Sequence, residues 1–342
     1  MTRAADAAAH AAADAAVAMP VPAPQAVAGT QLPALRLDGP AWAMLLVLSL
    51  FWGGSFIFIE ILLTALPVLT IVALRALLAA VGLWVIVLAT GVVVPRRLEV
   101  WLAFAAIGLV NNAIPHSLIA WGQTEITAGL AAILNATTPL FASIIAGLTL
   151  ADERLSARKV GGVILGLAGV AVMIGPAYLL DLGQHLPYQL AVVGAAFSYG
   201  IAAVLGRQFA RLKVAPTMAA TGQLSATAVM LVPVALLHDG PVVFFVTDPA
   251  IWLTVFANAA LSTALAYILY FAILSRSGAT NVTLVTVLVP VVAILIGVFG
   301  LGEHIGAIEF LGMALIFAGL AVIDGRLWHA LRRAGKTSTS RP

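Results

Sequence analysis

Cysteine is absent from the 342-residue sequence, and charged residues are scarce, at 9% of the chain. Without cysteine there is no disulfide, no thiol nucleophile and no cysteine-based metal site. A soluble domain carries about 25% charged residues to cover its surface. The shortage of charge therefore excludes a soluble enzyme. It also excludes a nucleic-acid-binding protein, although the isoelectric point is near 9.5.

Hydrophobic residues, in contrast, make up 62% of the chain. They form continuous runs of about 20 residues, the length of a helix that spans a bilayer. A membrane β-barrel would instead alternate apolar and polar residues over segments of about 10 residues. The sequence therefore predicts an all-α polytopic membrane protein with ten transmembrane helices. Their predicted limits are 41–62, 67–90, 100–121, 127–149, 158–180, 188–208, 216–237, 250–273, 279–301 and 306–325.

The two ends of the chain differ from the spans. Residues 1–40 are rich in alanine and proline and have no apolar stripe to dock on a neighbour, which predicts a disordered tail. Residues 326–342 are basic, and their first part, 326–333, fits a short helix on the anionic inner face of a membrane. We expect both tails in the cytoplasm.

The basic residues predict the orientation of the chain. With the N-terminus in the cytoplasm, sixteen of the 17 lysines and arginines fall in inside segments, and the remaining one, Arg75, lies within a span. Cytoplasmic loops of membrane proteins carry an excess of lysine and arginine. We therefore expect a multi-pass protein of the plasma (inner) membrane with both termini in the cytoplasm. This bias also explains the net charge of +3 without a polyanionic partner.

The two halves of the chain resemble each other. Residues 108–127 align with residues 259–278, which lie 151 positions further along. Each half contains five predicted spans, and an odd number places the second copy upside down in the membrane. Inverted repeats are the architecture of transporters that open alternately to the two sides, with the substrate between the repeats near the midplane.

Several short motifs also recur in order. They are Trp52-Gly53-Gly54-Ser55-Phe56, Arg75, Asn135-Ala-Thr-Thr-Pro139-Leu-Phe141, Asp152-Glu153-Arg154-Leu155, Ser262-Thr263-Ala264-Leu265-Ala266-Tyr267, Pro290 and Glu303. With these motifs the chain resembles the drug/metabolite transporter superfamily, EamA type, over about residues 41–325. The resemblance implies two EamA-like repeats, 41–180 and 188–325, that form a ten-helix fold with a central cavity. It also implies export or uptake of small metabolites.

Arg75 is a candidate to bind an anionic group of the substrate. It lies about 12 Å into its span at ~1.5 Å per residue, where a charge costs several kcal/mol unless it faces water or a partner. Alternatively, it is a structural residue that binds carbonyl groups of a neighbouring kinked helix or pairs with Glu60. Glu60 is in turn a candidate proton carrier, or else an interfacial residue whose carboxylate reaches water.

The third span contributes three polar residues, Asn111, Asn112 and His116. Asn112 and His116 are four residues apart and share a helix face. Thr263 and Tyr267 hold the aligned positions in the eighth span. Because polar groups in a membrane point inward to find partners, two such stripes predict the wall of a substrate cavity. The alternative is hydrogen bonding between helices. His116 is also a candidate proton relay.

Two prolines predict bends in the fourth and ninth spans. Pro139 and Pro290 are 151 residues apart, and each frees the carbonyl group four residues earlier from its helical hydrogen bond. We expect Asn135 and Thr138 to offer polar groups to the substrate at the first bend. Both bends are candidate hinges for gating, unless packing fixes them.

Aromatic and glycine positions match between the halves as well. Trp52 and Tyr199 hold equivalent places in the first helix of each half, and they either line the cavity or pack in the core. The fifth and tenth spans carry glycines that permit close helix contacts, either within the chain or at a homodimer face. These glycines are Gly162, Gly166, Gly169, Gly312 and Gly319.

Other classes of membrane protein fit this sequence less well. A membrane metalloprotease needs a His-Glu-x-x-His motif, and the sequence offers only Gly302-Glu303-His304. A channel needs pore rings or a filter-like loop. A flippase for lipid-linked substrates shares the transporter architecture and stays an alternative. Because no Walker motif occurs, we expect secondary transport of a small, amino acid-like or other organic solute, driven by a proton or solute gradient. We expect no catalytic residues, cofactor or metal.

Overall fold

The structure is a computed structural model, and it describes residues 38–150, 153, 155–174 and 185–324. Most of the predicted N-terminal tail, the whole basic C-terminal tail, Asp152 and residues 175–180 of the fifth predicted span lie outside the described residues. Within the described part the chain is helical and contains no strand.

Ten apolar helices follow one another and are named α1 to α10 here. Nine of the helices in the described residues are long and apolar enough to cross a membrane, and α9 is shorter. The chain is therefore a multi-pass helical membrane protein. The helices are α1 Gly39–Leu63, α2 Val68–Thr90, α3 Leu98–Gly122, α4 Ala128–Thr149, α5 Ala157–Ile174, α6 Leu186–Arg211, α7 Pro216–His238, α8 Pro249–Ser277, α9 Val285–Leu301 and α10 Ala307–Asp324.

The predicted ninth span, 279–301, is helical from its first residues but is interrupted. Gly278, whose φ is +80°, ends α8. A helical turn, Ala279–Val282, follows at once, and after an interruption at residues 283–284 the main part, α9, starts at Val285. The side chain of Asn281 donates to the carbonyl of Ser277 at 2.8 Å. Val282 is buried in the hydrophobic core, so this turn belongs to the span and not to an exposed loop.

The basic loops contact each other at one end of the bundle. Arg276 near the end of α8 forms an ion pair with Asp38, the N-cap of α1, and this hydrogen bond holds the pKa of Asp38 below its usual value. Arg207 in α6 pairs with Glu153 between α4 and α5. Arg158 at the start of α5 reaches the carbonyl of Ile323 near the end of α10. These contacts fit the predicted clustering of basic residues on one side.

Helix packing repeats itself between the two halves. The first helix of each half packs on the fourth helix of the other half, α1 on α9 and α6 on α4. Glycine makes both contacts close: a Cβ atom at Gly53 would lie 2.7 Å from Val292, and one at Gly200 would lie 2.9 Å from the backbone of Ala142. Likewise, α3 packs on α7 and α8 packs on α2.

The last helices of the two halves, α5 and α10, cross through their glycines. A Cβ atom at Gly162 would lie 2.7 Å from the carbonyl oxygen of Gly319, and one at Gly169 would lie 2.7 Å from that of Gly312. Since the earlier glycine of one helix meets the later glycine of the other, the two helices run antiparallel. The glycines thus pack helices within the chain, and this face is not open for a second copy.

Candidate functional site

Two π-helical turns shape the centre of the molecule. They occupy Leu109–Ala113 in α3 and Ala260–Leu265 in α8. In α3 the turn precedes Pro115, which has no N–H group and clashes with the carbonyl one turn earlier. Such turns insert one extra residue into a helix and occur often at functional sites. Most of the residues of the predicted cavity wall lie in or next to these two turns.

Arg75 joins three helices through neutral oxygen atoms. Its side chain is buried, with 6% of the residue exposed. Nε donates to the hydroxyl of Thr263 at 2.8 Å, and one terminal nitrogen donates to Ser55 Oγ at 3.1 Å. The other terminal nitrogen donates to the carbonyl of Ser262 at 3.3 Å. We call these four residues, from α1, α2 and α8, the arginine cluster.

Arg75 has no acidic partner among the described residues, since no ion pair there includes it. The pairing with Glu60 that the sequence left open does not form. Glu60 instead accepts a hydrogen bond of 3.3 Å from Gln123, whose amide also donates to the carbonyl of Phe56. A guanidinium has five N–H donors, so the three bonds of Arg75 leave N–H groups for an anionic ligand.

Four neutral side chains form a second cluster beside the π-turn of α3. Asn111 donates to Gln223 at 2.8 Å and to the hydroxyl of Tyr267 at 2.9 Å. Asn112 donates to Gln223 at 3.2 Å and accepts from the same tyrosine at 3.1 Å. We call these residues of α3, α7 and α8 the amide cluster. Their hydrogen bonds again link the two halves of the chain.

The arginine and amide clusters occupy corresponding places in the two halves. Arg75 and Gln223 are 148 residues apart, each on the second helix of its half. Ser262 and Thr263 follow Asn111 and Asn112 by 151 residues, each pair within a π-turn. The centre thus holds one cationic and one neutral version of the same arrangement. In the described part of the chain, no group of three acidic or histidine side chains is placed to hold a metal ion.

Aromatic rings surround these clusters. The ring of His116 lies 6.3 Å from that of Tyr199. Both side chains are close enough to Arg75 to interact electrostatically with its guanidinium. Trp52 lies 5.8 Å from Tyr270. His116 is buried, whereas Trp52 and Tyr199 are only partly buried. Both Trp52 and Tyr199 pack against the hydrophobic core, which is one of the two roles that the sequence left open.

The two predicted bends turn out differently. α4 is interrupted at residues 136–137, and Asn135 and Thr138 flank the break. The hydroxyl of Thr138 donates to the Asn135 carbonyl at 2.8 Å, so this freed carbonyl is bound within the chain. The amide oxygen of Asn135 is buried without a partner among the described residues. Pro290, in contrast, lies inside α9, and the interruption comes earlier, at residues 283–284.

Three polar residues of the centre were missed as site residues in the sequence. Gln223 and Ser55 bind the candidates directly. Asn258 is 1% exposed, and neither atom of its amide group has a hydrogen-bond partner among the described residues. The backbone carbonyl of Asn258 accepts a hydrogen bond from the hydroxyl of Thr263 at 3.3 Å. As a single amide in α7, Gln223 gives little signal in the sequence.

Comparison with known proteins gives this geometry a context. The chain is similar to the "Uncharacterized transporter YoaV" of Bacillus subtilis, at 26% identity over 80% of this chain and 92% of that protein. It is similar to a "Probable amino-acid metabolite efflux pump" of Escherichia coli, at 25% identity over 88% of this chain and 99% of that one. A protein solved by crystallography shares the fold, with a TM-score of 0.60 and 23% identity over 83% of this chain and 97% of that chain.

The decisive comparison is with a family. The sequence profile of the EamA-like transporter family matches the chain twice, over residues 40–175 and again over residues 186–324. Together the two matches cover most of the sequence, and they include all the residues of the arginine and amide clusters. The chain therefore belongs to the EamA-like transporter family.

Proposed function

We propose that this protein is a secondary active transporter for small organic solutes that carry a carboxylate, such as amino acid-like metabolites. It moves the solute across the plasma (inner) membrane by alternating access between two inverted five-helix repeats, residues 41–180 and 188–325. Both termini lie in the cytoplasm. A proton or solute gradient drives the transport.

The observation that carries the proposal is the buried charge of Arg75. A cation taken out of water is costly unless an anion and further hydrogen bonds compensate for it. Thr263, Ser55 and the carbonyl of Ser262 supply hydrogen bonds but no negative charge. A substrate carboxylate would supply that charge and bind the remaining N–H groups in the two-point geometry that a guanidinium favours.

The neutral groups near Arg75 suit the rest of such a solute. The amide cluster offers donors and acceptors, and the unpartnered amide oxygen of Asn135 and the unpartnered amide group of Asn258 add further polar atoms. The Escherichia coli relative is named as a pump for amino-acid metabolites, which supports an amino acid-like substrate for this chain. Small solutes with a carboxylate and a second polar group therefore fit best.

Inverted repeats are supported by contacts that occur in pairs. α5 and α10 cross antiparallel through Gly162 and Gly319 and through Gly169 and Gly312. The family description matches each half separately. A binding site between two such halves becomes accessible from either side when the halves rock against each other.

Counterflow in proteoliposomes tests the proposal. Vesicles loaded with one unlabelled amino acid or monocarboxylate are mixed with trace amounts of the labelled compound outside, and a panel is screened. We expect accumulation of label for at least one carboxylate solute. Arg75→Ala should abolish it, whereas Arg276→Ala, an exposed arginine at the basic end, should leave it intact. Equal counterflow in the parent and Arg75→Ala across the panel contradicts the proposal.

A further inference from the structure

The carboxylate of Glu303 binds the start of α4 across the two halves of the chain. Oε1 accepts from the backbone N–H of Ala128 at 2.9 Å, and Oε2 accepts from that of Gly129 at 3.1 Å. The next N–H, of Leu130, binds the hydroxyl of Thr127. A helix leaves its first N–H groups without partners, and here a glutamate 175 residues away binds two of them.

Two glycines, Gly129 and Gly297, leave room for the carboxylate of Glu303. A Cβ atom at Gly129 would lie 2.9 Å from Oε2 of Glu303, and one at Gly297 would collide with the same oxygen. The backbone N–H of Glu303 donates to the carbonyl of Gly297 at 3.0 Å. Gly302, at φ +72°, turns the chain just before the glutamate. Any larger residue at Gly129 or Gly297 would push the carboxylate away from the helix start.

The segment that Glu303 binds is short and separate from the rest of its helix. Ala128–Asn135, which we call the gate segment, ends at the interruption at residues 136–137. Residues 131–134 of this segment are buried in the core between the two halves. A rigid piece of eight residues with a break at its inner end can swing as a unit. Its start lies at the end of the bundle opposite to the basic loops.

The two ends of the bundle differ in charge. The charge of Glu60, on α1, is near enough to act on Glu303. In the sequence repeat Glu60 aligns with Arg207, which pairs with Glu153 at the basic end. One end is thus held by an ion pair, whereas the other places two carboxylates near each other. The remaining titratable groups on the elements around Glu303 are Glu125, His304 and Glu309.

We propose that the gate segment closes the outer entrance of the transport path and that the carboxylate of Glu303 is its latch. This inference rests on the proposed function, because it names the entrance of the same path.

The negative charge of Glu303 makes the latch strong. The ionised carboxylate accepts two charge-assisted hydrogen bonds, which are about twice as strong as neutral ones. The amide group of a glutamine in its place carries no charge, and only one of its two polar atoms can accept a hydrogen bond. Loss of the charge therefore weakens the latch and frees the gate segment.

Thiol labelling tests the latch without any substrate. Because the chain contains no cysteine, Ala132→Cys introduces a single thiol at a position of the gate segment that is 1% exposed. Cells or right-side-out vesicles are treated with a membrane-impermeant maleimide at one fixed pH. Rates are divided by those of Thr124→Cys, at an exposed residue of the preceding loop, to correct for differences in reagent access to the outer surface.

We expect slow labelling of Ala132→Cys in the otherwise unchanged chain. Added to it, Glu303→Gln should accelerate labelling about tenfold, since the loss of charge-assisted bonds shifts the closed–open equilibrium by at least that factor. Gly297→Ala, which keeps the glutamate but displaces it, should also accelerate labelling.

Asp239→Asn is the matched control. Asp239 lies at the same end of the bundle, where it accepts from the backbone N–H of Thr70 at 2.9 Å at the start of α2. This variant should keep the slow labelling of Ala132→Cys. The proposal is overturned if Glu303→Gln and Gly297→Ala, both monodisperse in gel filtration, label as slowly as the parent, or if Asp239→Asn labels as fast as they do. A failed transport assay leaves this result unaffected.

Discussion

Arg75 and Thr263 are joined by a hydrogen bond of 2.8 Å that links α2 to the π-helical turn of α8. The corresponding bond in the other half, 3.2 Å from Asn112 to Gln223, links the π-turn of α3 to α7. Both bonds join one half of the chain to the other. Under the proposed function, a solute bound between them would compete for the same donors and acceptors, and its binding would depend on the relative position of the halves.

Arg75→Met separates function from stability. The variant removes the charge but keeps a long side chain, and Thr263 keeps its bond to the carbonyl of Asn258. We expect counterflow of carboxylate solutes to fall by about tenfold to a hundredfold, the value of a hydrogen bond to a charged group. The melting temperature should stay equal or rise, because an apolar replacement of a buried charge is often neutral or stabilising by about 1–4 kcal/mol.

The melting temperature is read by fluorescence-detected gel filtration of detergent-solubilised protein, beside the counterflow assay. Arg276→Met, at the exposed surface, controls for the loss of an arginine. A melting temperature that drops together with transport would identify Arg75 as a scaffold residue instead.

Tyr267→Phe tests the amide cluster. The change removes the hydroxyl that accepts from Asn111 and donates to Asn112. A buried polar group left without a partner costs about 1–3 kcal/mol, so we expect a lower melting temperature and a higher KM for the transported solute. Tyr270→Phe is the control, since its hydroxyl has no hydrogen bond to any described residue, and it should behave like the parent. Equal effects of the two changes would show that only aromatic packing matters.

Much of the fold was predictable from the sequence because lipid imposes simple rules. Continuous apolar runs located nine long helices, and Arg75 was singled out as a charge at membrane depth. The interruption of the ninth span at residues 283–284 was not predicted, because hydropathy follows composition and not the hydrogen bonds of the backbone. The residues before it, Ala279–Val282, are helical as predicted.

The candidate site was predictable only in part. Asn111, Asn112, Thr263 and Tyr267 were chosen as polar residues in apolar helices, and hydrogen bonds bring three of them together. Their partner Gln223 was missed because one amide in a helix of ordinary polarity gives little signal. The π-helical turns could not be predicted from the sequence either. They depend on how α3 and α8 pack, and only the turn in α3 has a proline nearby to indicate it.

Gly162→Ala tests the crossing of α5 and α10. A Cβ atom at this position would lie 2.7 Å from the carbonyl oxygen of Gly319, so the helices must separate. Overpacking of this kind costs about 1–3 kcal/mol, and we expect a lower melting temperature. Gly161→Ala is the matched control, because nothing lies within 4 Å of its added Cβ atom. That variant should equal the parent or exceed it, since alanine favours helix over glycine by about 1 kcal/mol.

The orientation of the chain is tested with two further single thiols. Thr124→Cys lies in the exposed loop between α3 and α4, and Ser156→Cys lies just before α5, where the basic loops meet. Because lysine and arginine favour the cytoplasmic side, an impermeant maleimide should label Thr124→Cys in intact cells. It should reach Ser156→Cys only after the membrane is permeabilised. The reverse pattern would show that the protein has the opposite orientation in the membrane, with the Glu303 latch at the cytoplasmic entrance. Labelling of both positions in intact cells would mean that the chain inserts in two orientations, which the one-sided distribution of its basic residues argues against.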